Sequence, residues 1–255
     1  LFRSDVPMPE GNMAQRREHD IQLGGGTMSR SGVTCPCCGT IMTMEDLRLE
    51  GQAGRLGTAM TAVVIDGPDG KEYRLPTDIE TQTAAEAEEA VGGVFADTPF
   101  GLPEEPLPSK EALGFRVPLY GFDRWHKLFS PRQLLALGTF VRSTRLAYEA
   151  MRQMTYPPVW LEAVGAYQAI LVDRLVTMST SFCRWESGGE FVVQTFARFA
   201  LPMLWDFAET GVLSQTTGSY LGGIEWVSLY LEHALAALGN SPSPATRAQS
   251  ATPHS

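Results

Sequence analysis

The densest chemistry in the chain is Thr34-Cys35-Pro36-Cys37-Cys38-Gly39-Thr40, which holds three thiols within four residues. A Cys-x-x-Cys pair followed by glycine is the sequence of a zinc knuckle. Two thiolates flank a tight turn, its backbone amides point at the sulfurs, and the glycine supplies a left-handed residue. Cys35 and Cys38 are the expected ligands; Cys37, inside the turn, is not. Zinc in a closed site takes four ligands. The remaining cysteine, Cys183, lies far along the chain, and His19 is the one imidazole near the knuckle in sequence. The pair therefore reads either as half of a zinc site completed elsewhere or as thiols resting in a turn without metal. Four cysteines in 255 residues do not make a disulfide framework.

The second candidate is basic. Arg142, Arg145 and Arg152 recur at steps of three and seven, which places them on one face of a helix, with Arg132 at its start. Arg116, Arg124 and Lys127 lie just upstream, and residues 115–160 carry seven Lys or Arg against two Asp or Glu. Such a cluster is expected to touch nucleic-acid phosphates. The competing reading is a solvated face on which Glu149 makes an intrahelical pair. With a net charge of −9, the chain as a whole is not a non-specific nucleic-acid binder.

Other strings imitate sites without their context. Gly24-Gly25-Gly26 follows no expected strand and opens no expected helix, so it lacks the setting of a phosphate or dinucleotide loop. Asp97-Thr98-Pro99-Phe100 and Tyr156-Pro157-Pro158-Val159 each approach the tetrapeptide with which amino-methyltransferases hold a flipped adenine, and neither has all four positions. His126 and His233 have no evident nucleophile partner. Asp206 and Glu209 read as a solvated helix face.

The elements that must position these residues are expected as follows. Residues 1–30 have no apolar periodicity and read as a flexible segment. A zinc-knuckle and β-hairpin region fills 31–78, its hairpin formed by the β-branched run ending at Asp66 and the run Glu72–Leu75 around Gly-Pro-Asp-Gly. Thr77 and Asp78 cap an acidic helix to about Val91, and within 79–118 five prolines mark an extended connector.

A helical bundle is expected over 119–238. Ser130-Pro131-Arg132-Gln133 signals a helix start, and Leu134, Leu137, Val141, Tyr148 and Met151 form its apolar stripe, about 24 residues long. A second helix carries Trp160, Val164, Tyr167, Leu171, Leu175 and Met178. A third is expected over 190–209, kinked at Pro202, and a fourth over 220–238. Four striped helices bury their stripes on one another. Residues 239–255 read as a disordered tail. The expected class is α+β, mainly α. No window approaches a membrane span and no signal peptide is evident, so a cytoplasmic protein without a membrane partner is expected. The first residue, Leu, fits a start inside a longer reading frame.

In order, TCPCCG, YRLPT at 73–77, EEPLP at 104–108, GFRVPLYGFDRWHKLFSPRQLLAL at 114–137, VDR at 172–174, SFCRW at 181–185 and TFARFALPMLWDFAE at 195–209 resemble the middle of the large zinc-ribbon-containing adenine-specific DNA methylases. The resemblance covers roughly residues 25–235. It implies a parent enzyme that transfers a methyl group from S-adenosylmethionine to adenine N6, often in restriction or anti-phage systems. In that family the cofactor loop and first zinc knuckle precede the matching segment, and the D-P-P-Y catalytic motif follows it. Only Cys35 and Cys38 carry over, as the second pair of zinc ligands. The implied role is an internal, non-catalytic segment that works with flanking parts of its parent and with DNA, and that does not bind S-adenosylmethionine alone. The other reading is a stand-alone binding or scaffold module.

Overall fold

A computed structural model describes residues 12–24, 26–197 and 200–238. The expectations for residues 1–11 and for the tail from 239 onward lie outside them. The class is α+β with mainly helix, as expected. The chain divides into two compact units. The first takes residues up to 92, 102–132 and 198–205; the second takes 93–101, 133–197 and the chain from 206 onward.

In the first unit the segment expected to be flexible contains a helix, α1 (Met13–Gly24). Its start is explained by Asn12, whose Oδ1 accepts from the amides of Ala14 and Gln15 at 3.1 Å, while the Gln15 side chain accepts from the Asn12 amide at 2.9 Å. This reciprocal cap stabilises a helix that has no apolar stripe to announce it. Three short antiparallel strands follow, β1 (Met28–Ser29), β2 (Gly32–Thr34) and β3 (Ile41–Thr43), in sequence order. A second unforeseen helix, α2 (Met44–Gln52), starts from a capping box in which the Thr43 hydroxyl accepts from the Asp46 amide and Asp46 accepts from that of Thr43.

The predicted hairpin is present as β4 (Val63–Gly67) and β5 (Gly70–Arg74), which pair from Val63 with Arg74 to Gly67 with Gly70. Helix α3 (Asp78–Ala96) begins where Thr77 was expected to cap it and runs past Val91 through two glycines. Glu80 accepts from the Thr77 amide at 2.8 Å and from both Arg74 guanidinium nitrogens, so one carboxylate closes the cap and ties the hairpin to the helix. The proline-rich connector is extended but anchored. The amides of Leu107, Trp125 and His126 donate to the carbonyls of Asp123, Glu105 and Pro103. A four-residue helix, α4 (Lys110–Leu113), and two single 3-10 turns at Val117–Tyr120 and Trp125–Leu128 complete this part. Val117 and Leu128 are fully buried, with Leu47, Phe115 and Leu201 beside them in burial.

In the second unit, α5 (Pro131–Gln153), whose first two residues belong to the first unit, starts at the predicted proline and α6 (Pro158–Met178) follows after Thr155 in the left-handed region. Gly138 of α5 sits so close to Val94 and Phe95 that a Cβ there would meet them at 2.7 and 3.0 Å, which packs the end of α3 on α5. The helix expected over 190–209 does not form. Instead β6 (Arg184–Glu186) pairs with β7 (Phe191–Val193) across Gly188-Gly189, with Glu190 in the left-handed region. The β-branched pair Val192-Val193 after a glycine turn favours a strand, and the chain beyond it is irregular. Val192, Cys183 and Met178 form a buried cluster flanked by Trp185 and Ala208. The last helix, α7 (Tyr220–Leu238), has the bounds that its pattern predicts. Its Gly223 lies against Leu171 of α6. The four-helix bundle is thus replaced by three long helices and a hairpin.

Candidate metal and nucleic-acid sites

The knuckle occupies the turn that joins β2 to β3. The register Thr34 with Ile41 fixes its two ends, the Cys35 amide donates to the Thr40 carbonyl at 2.8 Å, and the Gly39 amide donates to the Cys35 carbonyl at 2.9 Å. Gly39 takes φ +73°, the left-handed residue the sequence requires, with open space where a Cβ would stand. Cys35 is half-buried, and Cys37 and Cys38 are exposed. Cys38 Sγ lies 3.3 Å from the Thr40 hydroxyl. The Thr40 hydroxyl and backbone, and then the Cys35 side chain, hold the Cys38 thiol below its ordinary range. Thiolate character is what a metal ligand needs.

Cys35 and Cys38 thus share one turn, with the Cys38 thiol lowered, and would supply two of the four donors of a closed zinc site. Among the described residues no three or more Cys, His, Asp or Glu side chains are grouped so that they could hold a metal ion. Cys183 is fully buried in the second unit, where its sulfur hydrogen-bonds the Thr195 hydroxyl at 3.2 Å. Its role there is packing. The Gly24-Gly25-Gly26 run ends α1 and precedes β1, the reverse of the strand-loop-helix order that cradles a nucleotide, and Gly25 lies outside the described residues. This run does not fit S-adenosylmethionine.

The arginines expected to form one open stripe have unequal settings. Arg132 is half-buried in the first turn of α5 and belongs to the first unit. Arg142, Arg145 and Arg152 are all exposed. Arg142 reaches Asp97 at 3.7 Å, and Arg152 pairs with Glu149 at 2.7 Å, the intrahelical pair foreseen as the alternative. Arg145 has no ion pair among the described residues and stands as the uncommitted cation of the face. The Asp97 contact escaped sequence reasoning because 45 positions separate it from Arg142. The apolar stripe of α5 is buried at Leu134 and Leu137, whereas Tyr148 remains 37% exposed beside Gly165 of α6.

Of the upstream basic residues, Arg124 and Lys127 are used in the fold, while Arg116 is exposed. Arg124 donates to the Glu104 carbonyl, Lys127 pairs with Asp123 at 2.6 Å, and His126 Nδ1 bonds the Pro103 carbonyl at 2.9 Å. Asp206 and Glu209 lie on irregular chain rather than on a helix face. The first tetrapeptide follows α3, with Phe100 at positive φ, and the second opens α6 at Pro158, just after Thr155 at positive φ. No family model, no curated protein and no solved structure matches the chain. No helix among the described residues is long and apolar enough to cross a membrane.

Proposed function

We propose that this chain is an internal, non-catalytic segment of an adenine-specific DNA methyltransferase, supplying half of a zinc site through Cys35 and Cys38 and helping to position DNA. The reading rests on the ordered strings that resemble that family. The observation that supports it best is the β2–β3 turn, in which Cys35 and Cys38 stand on one short backbone loop closed by left-handed Gly39. Arg145 and its neighbours on α5 are the surface offered to phosphate.

The test is binding of the chain to duplex DNA by fluorescence anisotropy across a salt series, beside calorimetry with S-adenosylmethionine. Salt-dependent DNA binding without cofactor binding is the expected outcome. Stoichiometric micromolar cofactor binding would overturn the assignment of the cofactor loop to another segment. A second reading, a stand-alone scaffold module, is favoured by the apolar surface that α7 leaves open. Absence of DNA binding at low salt, with folding intact, would leave that reading in its place.

A further inference from the structure

Helix α7 has the composition of a buried helix and the exposure of a surface one. Over 19 residues its charged side chains are Glu225 and Glu232, with His233 the remaining titratable group. A helix apolar all round is normally enclosed on all sides. One face meets this expectation, since Gly223 is buried against Leu171 and the Arg174 guanidinium of α6 lies 4.7 Å from the centre of the Trp226 ring. The adjoining face is open: Trp226 is 66%, Leu229 57% and Tyr230 62% exposed. Ile170, one turn along α6 from Arg174, is also exposed.

We infer that this face is where two copies of the chain associate, α7 against α7 about a two-fold axis. Gly222, Trp226, Leu229, His233 and Ala236 recur at steps of four, three, four and three, the seven-residue repeat with which one helix seats against another. By their exposure Trp226, Leu229, Tyr230 and Ile170 leave roughly 500 Å² of largely apolar surface open, the larger part of the ~800 Å² that each partner contributes to a stable interface. A two-fold contact sets the same patch on itself, so it must avoid opposed like charges. With antiparallel helices centred between Leu229 and Tyr230, Glu225 falls opposite Ala234 and Glu232 opposite Val227. Aromatic residues and an arginine at the centre, with few carboxylates, are the composition of an interface core.

Sedimentation equilibrium of the full chain tests the inference, comparing wild type with the double variant Trp226→Glu/Tyr230→Glu and with Ile79→Glu, which alters an equally exposed apolar residue elsewhere. Wild type and Ile79→Glu should form a discrete dimer at micromolar concentration. The double variant should dissociate at least about tenfold more readily, as expected when aromatic anchors are lost. The altered side chains are exposed, so circular dichroism should be unchanged. Independently of any variant, wild-type tryptophan emission should shift to shorter wavelength as concentration rises. A wild-type monomer overturns the inference, including one whose Trp226 is shielded from a soluble quencher by another part of the same chain. So does a double variant as dimeric as wild type, or a wild-type distribution of aggregates without a discrete dimer.

Discussion

Gly51 and Gly121 approach each other backbone to backbone. A Cβ on Gly51 would stand 2.3 Å from the Tyr120 carbonyl oxygen, and one on Gly121 would stand 2.1 Å from the Gly51 carbonyl oxygen. This contact seats the end of α2 on the 3-10 turn at Val117–Tyr120, where Tyr120 meets Trp205 edge to face at 5.4 Å and lies under Arg48. Because the obstacle is backbone, relief requires the two elements to part. Gly51→Ala is expected to cost about 1–3 kcal/mol, in the range of core overpacking. Gly121→Ala should cost more, since Gly121 also has φ +88°. Gly57→Ala, which meets nothing within 4 Å, is the control. Urea unfolding should find Gly121→Ala the most destabilised, Gly51→Ala next and Gly57→Ala closest to wild type.

Glu80 links acid stability to one cap. The Arg74 guanidinium first, and the Thr77 amide and hydroxyl next, lower its carboxyl from 4.5 to about 2. A carboxylate depressed on folding stabilises the protein above the unfolded-state value, and that contribution is lost as pH falls through the folded value. The loss should therefore develop between about pH 4.5 and pH 2. Glu80→Gln should lower the melting temperature at neutral pH and should flatten its fall across that acid window. A melting temperature in the variant that tracks wild type throughout would mean that the pair contributes nothing.

The parts of this fold that were legible in sequence are those written locally. Gly-Pro-Asp-Gly sets the β4–β5 turn, Thr77 the start of α3, Ser130-Pro131 that of α5, and the apolar period through Ile224, Val227, Leu231, Ala234 and Leu238 marks the extent of α7. Asn12 with Gln15 and Thr43 with Asp46 are capping pairs of the same kind. The helices they open, α1 and α2, are short or lack a clear apolar stripe, so the apolar period does not announce them. Over 190–209 the three- and four-residue steps of Val192, Phe196, Phe199, Met203 and Phe207 in the sequence imitate a helix, while Gly188-Gly189 and Val192-Val193 specify a strand. At the candidate sites the knuckle's glycine was legible because its backbone requirement is internal to seven residues. The neutralisation of Arg142 was not, because Asp97 arrives from another element through tertiary packing.

Zinc should bind the chain weakly. Two thiolates satisfy half of the ion's coordination, and the free energy of a structural site comes from all four ligands. Competition against a chromophoric chelator should give an affinity that falls further in Cys35→Ser and Cys38→Ser and is unchanged in Cys183→Ser, whose sulfur is enclosed in the other unit. Cys37→Ser should also be silent. One tightly held equivalent of zinc in the monomer would require two more ligands from the chain and would sink the half-site account.

The arginine face of α5 makes a prediction that distinguishes its three members. If DNA phosphate is the partner, each contact contributes about 0.9 to the slope of log affinity against log salt. Arg145 carries no competing carboxylate, whereas Arg142 and Arg152 must first leave Asp97 and Glu149. Arg145→Gln should therefore reduce the slope by about one, Arg142→Gln and Arg152→Gln should each reduce it by less, and all should act without regard to DNA sequence. Asp97→Asn should act in the opposite direction by releasing Arg142, strengthening binding at low salt and steepening the slope. That gain of function is the more discriminating half, because damage to the fold would weaken binding rather than strengthen it. An unchanged slope in both Arg145→Gln and Asp97→Asn would make the stripe an ordinary solvated face.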